Sequence, residues 1–185
     1  MDNYRINLNY ARALFLVASD EGLLDAAGDD MRLVSSVCSE NPLLGKIFAN
    51  PIIRETKKVG ILNDLFQEKV SKVTLLFLSF VVKKRRAVNL KGIADAFVAL
   101  YRKEKNIVLS SLVTATDADA DVQKAVSDTV GKYTGKEVEL QTKTDPSIIG
   151  GFSVEFDGYM YDARLSTAVA KLRKEFSKNV YESKL

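Results

Sequence analysis

Along the first hundred residues, hydrophobic positions return every three or four residues, the spacing of one helical turn. One such pattern covers about Tyr4 to Ala18 and a second about Gly22 to Ser39. Asn41-Pro42 and Asn50-Pro51 mark boundaries, because a residue before proline avoids the helical region while proline itself suits a helix's first turn. Pro42 and Pro51 are therefore expected to open two further helices, the first very short. Stretches at about Ser71–Lys84 and Val88–Lys105 follow. Five or six helices joined by short turns predict a compact bundle.

After Lys105 the pattern changes. Ile107 to Val113 is rich in β-branched and large apolar residues and reads as a strand. Asp121 to Tyr133 reads as a helix that Gly135 stops. Glu137 to Lys143 alternates apolar and polar positions, as a half-buried strand does. Asp145-Pro146-Ser147 is a turn, Ile148 to Phe156 a strand with Gly150-Gly151 inside it, and Asp157-Gly158 a tight turn. A glycine pair within a strand points to a bulge or a close backbone approach. Tyr159 to Tyr161 forms a last short strand, and Ala163 to about Tyr181 a closing helix. The expected fold class is α+β, with a helical bundle over residues 1–105 and a small α/β domain over 106–185.

Two helices have more apolar surface than one core contact needs. In the first, Tyr4, Leu8, Ala11, Phe15 and Ala18 fall on one arc, while Ile6, Tyr10, Ala13, Leu14 and Val17 fall on a nearly opposite one. In Ser71–Lys84, Leu76 and Phe80 belong to an apolar run that leaves little polar face. Either both helices are central and buried all round, or they flank a groove that receives a partner's amphipathic helix. About five apolar anchors at roughly 1.5–3 kcal/mol each would support tight binding before ordering costs.

Charge adds a division of the chain. The net charge of +3 is uneven: residues 1–105 hold 17 basic and 12 acidic side chains, and the rest hold 10 and 12. Lys83-Lys84-Arg85-Arg86 is the most basic run. It suits a helix C-terminus, and a basic helical nucleic-acid-binding protein is the alternative reading of it. No aromatic residue interleaves with the run, so base stacking is unsupported, and no nucleic-acid partner is the preferred reading.

Catalytic chemistry has little to work with. The chain has no histidine and one cysteine, Cys38, which excludes the usual zinc spacings and the histidine-based nucleophilic arrangements. Cys38 sits in a helical pattern and is expected to be small and buried. Gly131 to Lys136 approaches a phosphate-binding loop, but it has one residue too few between the glycines and follows a helix. Asp117, Asp119 and Asp121 alternate as calcium ligands can, yet lack the loop's glycine and closing glutamate; acids crowding a helix N-terminus explain them. An enzyme built on scattered carboxylates and Arg164 near Asp162 has no pair of acids forced together. The reading is no enzyme, no metal and no cofactor. No apolar run approaches the twenty residues of a bilayer span.

Several short motifs then occur in one order. They are Tyr10-Ala11-Arg12-Ala13-Leu14, Asn41-Pro42-Leu43-Leu44, Asn50-Pro51, and Lys57 leading to Ile61-Leu62 and Leu65-Phe66. Leu78 to Lys83 with Arg86 and Leu90 follows, then Asp145-Pro146-Ser147-Ile148-Ile149-Gly150-Gly151-Phe152, Asp157, Asp162 and Leu172-Arg173. In this order they resemble the delta subunit family of bacterial F-type ATP synthases, the counterpart of the oligomycin-sensitivity-conferring protein. Asp162-Ala163-Arg164 stands where the family usually has Asp-Gly-Ser. The resemblance implies a six-helix N-terminal bundle that binds the N-terminal helix of an alpha subunit between its first and fifth helices. It implies that the C-terminal domain meets the b subunits of the peripheral stalk. It also implies one copy per complex, a peripheral place on the cytoplasmic face of the bacterial inner membrane, and a mechanical role in proton-driven ATP synthesis. The partner-binding residues then expected are Ile6, Tyr10, Ala13, Leu14, Val17, Leu76 and Phe80.

Overall fold

A computed structural model describes residues 2–177, which divide into two compact units at Lys105 and Asn106. Each is built around its own core.

The first unit contains α1 (Asp2–Asp20), α2 (Leu24–Glu40), α3 (Pro42–Ala49), α4 (Glu55–Phe66), α5 (Lys72–Lys83), a 3-10 turn (Ala87–Asn89) and α6 (Leu90–Glu104). α6 organises it. Leu90, Ile93, Ala94, Phe97, Val98 and Tyr101 make one wide apolar stripe, and all are buried. α1 and α2 pack on α6. α1 contributes Ala11, Leu14 and Ala18, and α2 contributes Ala27, Met31 and Val34. Burying a Leu or Phe of this kind stabilises the fold by roughly 1.5–3 kcal/mol.

α5 is anchored at its start. The Ser71 hydroxyl accepts a 3.3 Å hydrogen bond from the Thr74 backbone N–H, and the Ser71 N–H donates to the buried Asp30 carboxylate of α2 at 2.9 Å. At its end, Arg85 takes a left-handed conformation (φ 60°), and the Arg86 N–H returns to the Val81 carbonyl at 3.1 Å. This is a helix stop usually served by glycine. Pro42 opens α3 as expected, but Pro51 does not open a helix. Instead the Asn50 side chain accepts from the Ile52 N–H at 2.9 Å, and this local turn holds the chain until α4 begins at Glu55.

The second unit contains β1 (Ile107–Thr114), α7 (Ala120–Thr134), β2 (Glu137–Thr144), β3 (Phe152–Phe156), β4 (Tyr159–Asp162) and α8 (Leu165–Ser177). The sheet order is β2-β1-β3-β4, with β1 and β2 parallel and the other pairs antiparallel. α7 is the crossover between the parallel strands. Its core is Val108, Leu112, Val126, Val130 and Val154. α7 ends at Gly135, whose φ of 67° and N–H bond to the Gly131 carbonyl at 2.8 Å form a left-handed cap. That geometry explains the glycine spacing without any phosphate.

The strand expected over Ile148–Phe156 begins only at Phe152. Gly151 has φ 83°, outside any strand geometry, and the Ile148 N–H closes a turn onto the Asp145 carbonyl. The closing helix begins at Leu165, and its expected stretch beyond Ser177 lies outside the described residues. Cys38, on α2, is half-buried facing the charged Lys91 and Asp95 of α6, not fully enclosed.

Candidate functional site

In the first unit, α1 and α5 line a groove of about 540 Å³. Tyr10, Ala13, Leu14 and Val17 form the α1 wall, and Val73, Leu76, Phe77 and Phe80 the α5 wall. Both sets have the same i, i+3, i+4, i+7 spacing, so two apolar stripes lie along the one groove. Asn9 and Glu21 are its polar lining.

The stripes are not equally open. Leu76 is 72% exposed and Phe80 47% exposed, whereas Leu14 is only 2% exposed and forms the floor. The Tyr10 and Phe80 rings approach to 6.5 Å between centroids. Of the seven residues expected from sequence, the structure brings Tyr10, Ala13, Leu14, Val17, Leu76 and Phe80 together here. Ile6 is half-buried and does not line the groove. Val73 and Phe77 were legible in principle from their spacing with Leu76 and Phe80. The apolar residues on every side of α5 hid which of its stripes would stay open.

Burial all round is not what these helices have. α5 buries Thr74, Leu78, Val81 and Val82 on its inner side and leaves Leu76 and Phe80 in water. The groove offers no nucleophile and no paired acids, so its chemistry is apolar contact. Among the described residues, no group of three or more His, Cys, Asp or Glu could hold a metal ion.

The basic run near this groove is partly engaged. Lys84 places its ammonium 5.4 Å from the Phe80 ring centroid, and Arg85 Nε donates to Glu55 at 2.8 Å. These two cations serve local contacts and do not form an array aimed at phosphates.

The second unit has its own uncovered apolar surface. A cleft of about 640 Å³ opens between α7 and strands β3–β4, with Val122, Val126, Phe152, Phe156 and Tyr161 among its lining. Tyr133, Phe156 and Tyr159 also line it, with ring centroids 5.8–6.2 Å apart and the Tyr133 ring edge-on to the other two. α8 buries none of its residues, and Leu165, Val169, Leu172 and Phe176 stay exposed along one stripe. Their 4-3-4 spacing matches a helix-pairing seam.

Asp162 fixes where α8 starts. Its carboxylate accepts from the Arg164 backbone N–H at 3.0 Å, from Arg164 Nε and Nη2 at 2.9 and 2.7 Å, and from Thr167 Oγ1 at 2.9 Å. These bonds, the Arg164 guanidinium first, hold its pKa well below the usual carboxylate range. Asp162-Ala163-Arg164 is thus a charged cap that links β4 to α8, and both its charges are engaged in that task.

Residues 6–176 match the family model described as the ATP synthase delta (OSCP) subunit. The chain is 34% identical over 171 residues to the ATP synthase subunit delta of Lactobacillus johnsonii, covering 92% of this chain and 93% of that one. It is 32% identical over 162 residues to the chloroplastic subunit delta of Emiliania huxleyi, covering 87% and 90%. Its fold matches a chain of the mitochondrial ATP synthase hexamer of Toxoplasma gondii with a TM-score of 0.71, at 22% identity, over 92% of this chain and 96% of that one.

Proposed function

The chain belongs to the ATP synthase delta (OSCP) family, and from that premise we propose how its two units do their work. The protein is a non-catalytic stator subunit of an F-type ATP synthase. It links the catalytic head to the peripheral stalk and resists the torque that the rotor exerts on the head during proton-driven synthesis. A part with this task needs stiff units and adhesive faces, not general bases.

The observation that carries the reading is the open α1–α5 groove. The first unit acts as a six-helix bundle that seats the amphipathic N-terminal helix of an alpha subunit against Tyr10, Ala13, Val17, Leu76 and Phe80, over the Leu14 floor. The two parallel apolar stripes support this occupant, since a helix presents anchors at the same i, i+3, i+4, i+7 spacing. Ile6 extends the α1 stripe one turn beyond the groove and has the weakest claim to contact.

The second unit meets the b subunits of the stalk. The exposed stripe of α8 and the aromatic cleft beside α7 are the apolar surfaces in that unit, and the seam spacing of α8 suits pairing with a stalk helix. One copy per complex sits at the cytoplasmic face of the bacterial inner membrane, attached through its neighbours. Among the described residues no helix is long and apolar enough to cross a membrane.

Calorimetry of the full chain with a synthetic alpha-subunit N-terminal peptide tests the groove. The expected result is 1:1 binding that Ala13→Asp abolishes while the melting temperature holds. Full binding by that variant would reject this groove as the seat.

A further inference from the structure

We propose that a second cavity of the first unit, on the other side of α5 from the groove, binds a short acidic segment of a partner protein. Phe80 faces the groove, whereas Val82 lies about 200° further round the helix and lines this cavity. The proposal rests on the charges found there and not on the stator reading.

The cavity measures about 620 Å³ and lies between the start of α4, the end of α3 and the exit of α5. Three cations line it, Arg54, Lys58 and Arg85, against a single carboxylate, Glu55. Arg85 already binds Glu55 at 2.8 Å. Lys58 is the unusual group. It is 8% exposed, and its ammonium donates to the Phe48 carbonyl at 2.7 Å. An ammonium has three donors, and a buried charge is normally met by an opposite one. No ion pair joins Lys58 among the described residues. α4 also opens onto this cavity, with no side-chain cap at Arg54, so its dipole adds to the positive potential.

The cavity is short of negative charge, and its shape says what kind. Val88 is its open apolar wall, 61% exposed over the buried Phe48 and Val82, and Ile52 projects into water close by in sequence. A bare oxyanion would satisfy Lys58 but leave Val88 wet. A stretch of peptide with a carboxylate beside a Leu or Ile side chain would satisfy both. The carboxylate would accept from Lys58 and Arg54, and the apolar neighbour would lie against Val88.

Short random peptides displayed on phage and panned on the full chain provide the probe. The expected yield is peptides with Asp or Glu next to Leu or Ile. A selected peptide, made with a fluorophore, should bind the full chain more weakly as salt rises. It should lose about tenfold or more in affinity against Arg54→Glu and against Lys58→Met, and none against Leu76→Asp in the other groove. Arg54 is exposed, so its variant stays informative even if Lys58→Met folds poorly. Failure to enrich acidic peptides, or equal affinity for Arg54→Glu, would overturn the proposal. So would displacement of the peptide by inorganic phosphate or by phosphatidylglycerol vesicles, which would assign the site to a free anion or a lipid surface.

Discussion

A Cβ atom added to Gly151 would lie 2.2 Å from the Ala163 carbonyl oxygen, closer than two such atoms can stand. Gly151 also has φ 83°, and the Leu165 N–H reaches the neighbouring Gly150 carbonyl at 3.0 Å. The glycine pair is therefore a close-approach site where the chain entering β3 meets the chain entering α8. Gly151→Val should strain the backbone and force these segments apart. A loss of roughly 2–4 kcal/mol is expected, read as a lower melting transition with weaker stalk binding. An unchanged melting curve would show that the entrance of α8 can yield at no cost.

The groove separates binding from stability. Leu76→Asp alters a side chain already in water, so the melting temperature should hold while the alpha-subunit peptide no longer binds. Leu14→Ala removes buried volume beneath the same groove and should cost about 2–5 kcal/mol. Chemical denaturation and peptide titration of both variants check the contrast. If Leu76→Asp destabilises the chain as much as Leu14→Ala, Leu76 belongs to the core.

Acid should act through depressed carboxylates on both units, Asp25 in the first and Asp162 and Asp145 in the second. The Arg164 bonds lower the pKa of Asp162, and bonds from Lys105 and Tyr101 lower that of Asp25. A depressed folded value means that the stabilisation is complete above the ordinary value near 3.8 and disappears as pH falls through the folded one. Melting temperature should thus be flat near neutrality and fall below about pH 4. Asp162→Asn should lose stability at neutral pH and show a shallower acid slope. High salt should reduce the effect more at the exposed Asp25 than at the half-buried Asp162. An acid slope identical to wild type in Asp162→Asn would reject the assignment.

Cys38 should react slowly. Burial pushes its thiol pKa up, Lys91 pulls it down and Asp95 raises it again, so little nucleophilic thiolate is present near pH 7. Alkylation of the folded chain should be slower than that of the denatured chain by about tenfold or more. Equal rates would show that the α2–α6 seam opens freely.

Legibility in the sequence followed the range of the interactions involved. The helical periodicity, the change of pattern at Lys105 and the Gly135 stop depend on spacing along a single element, so the sequence alone determined them; the two arcs of α1 were only partly so, since Leu14 joins Ala11 and Ala18 in the core while Tyr4 is exposed. The sequence also brought six of the groove's lining residues into one expectation. What it left open was which apolar faces stay uncovered. Leu76 and Leu78 are the same residue two positions apart, yet one is in water and the other is fully enclosed. Only the packing of α5 on its neighbours, set by distant partners such as Asp30, decides between them. At Gly151 the sequence marked a close backbone approach, but only the structure shows the left-handed turn and the Ala163 carbonyl that it meets, and Lys58 becomes unusual only once the fold has buried its charge.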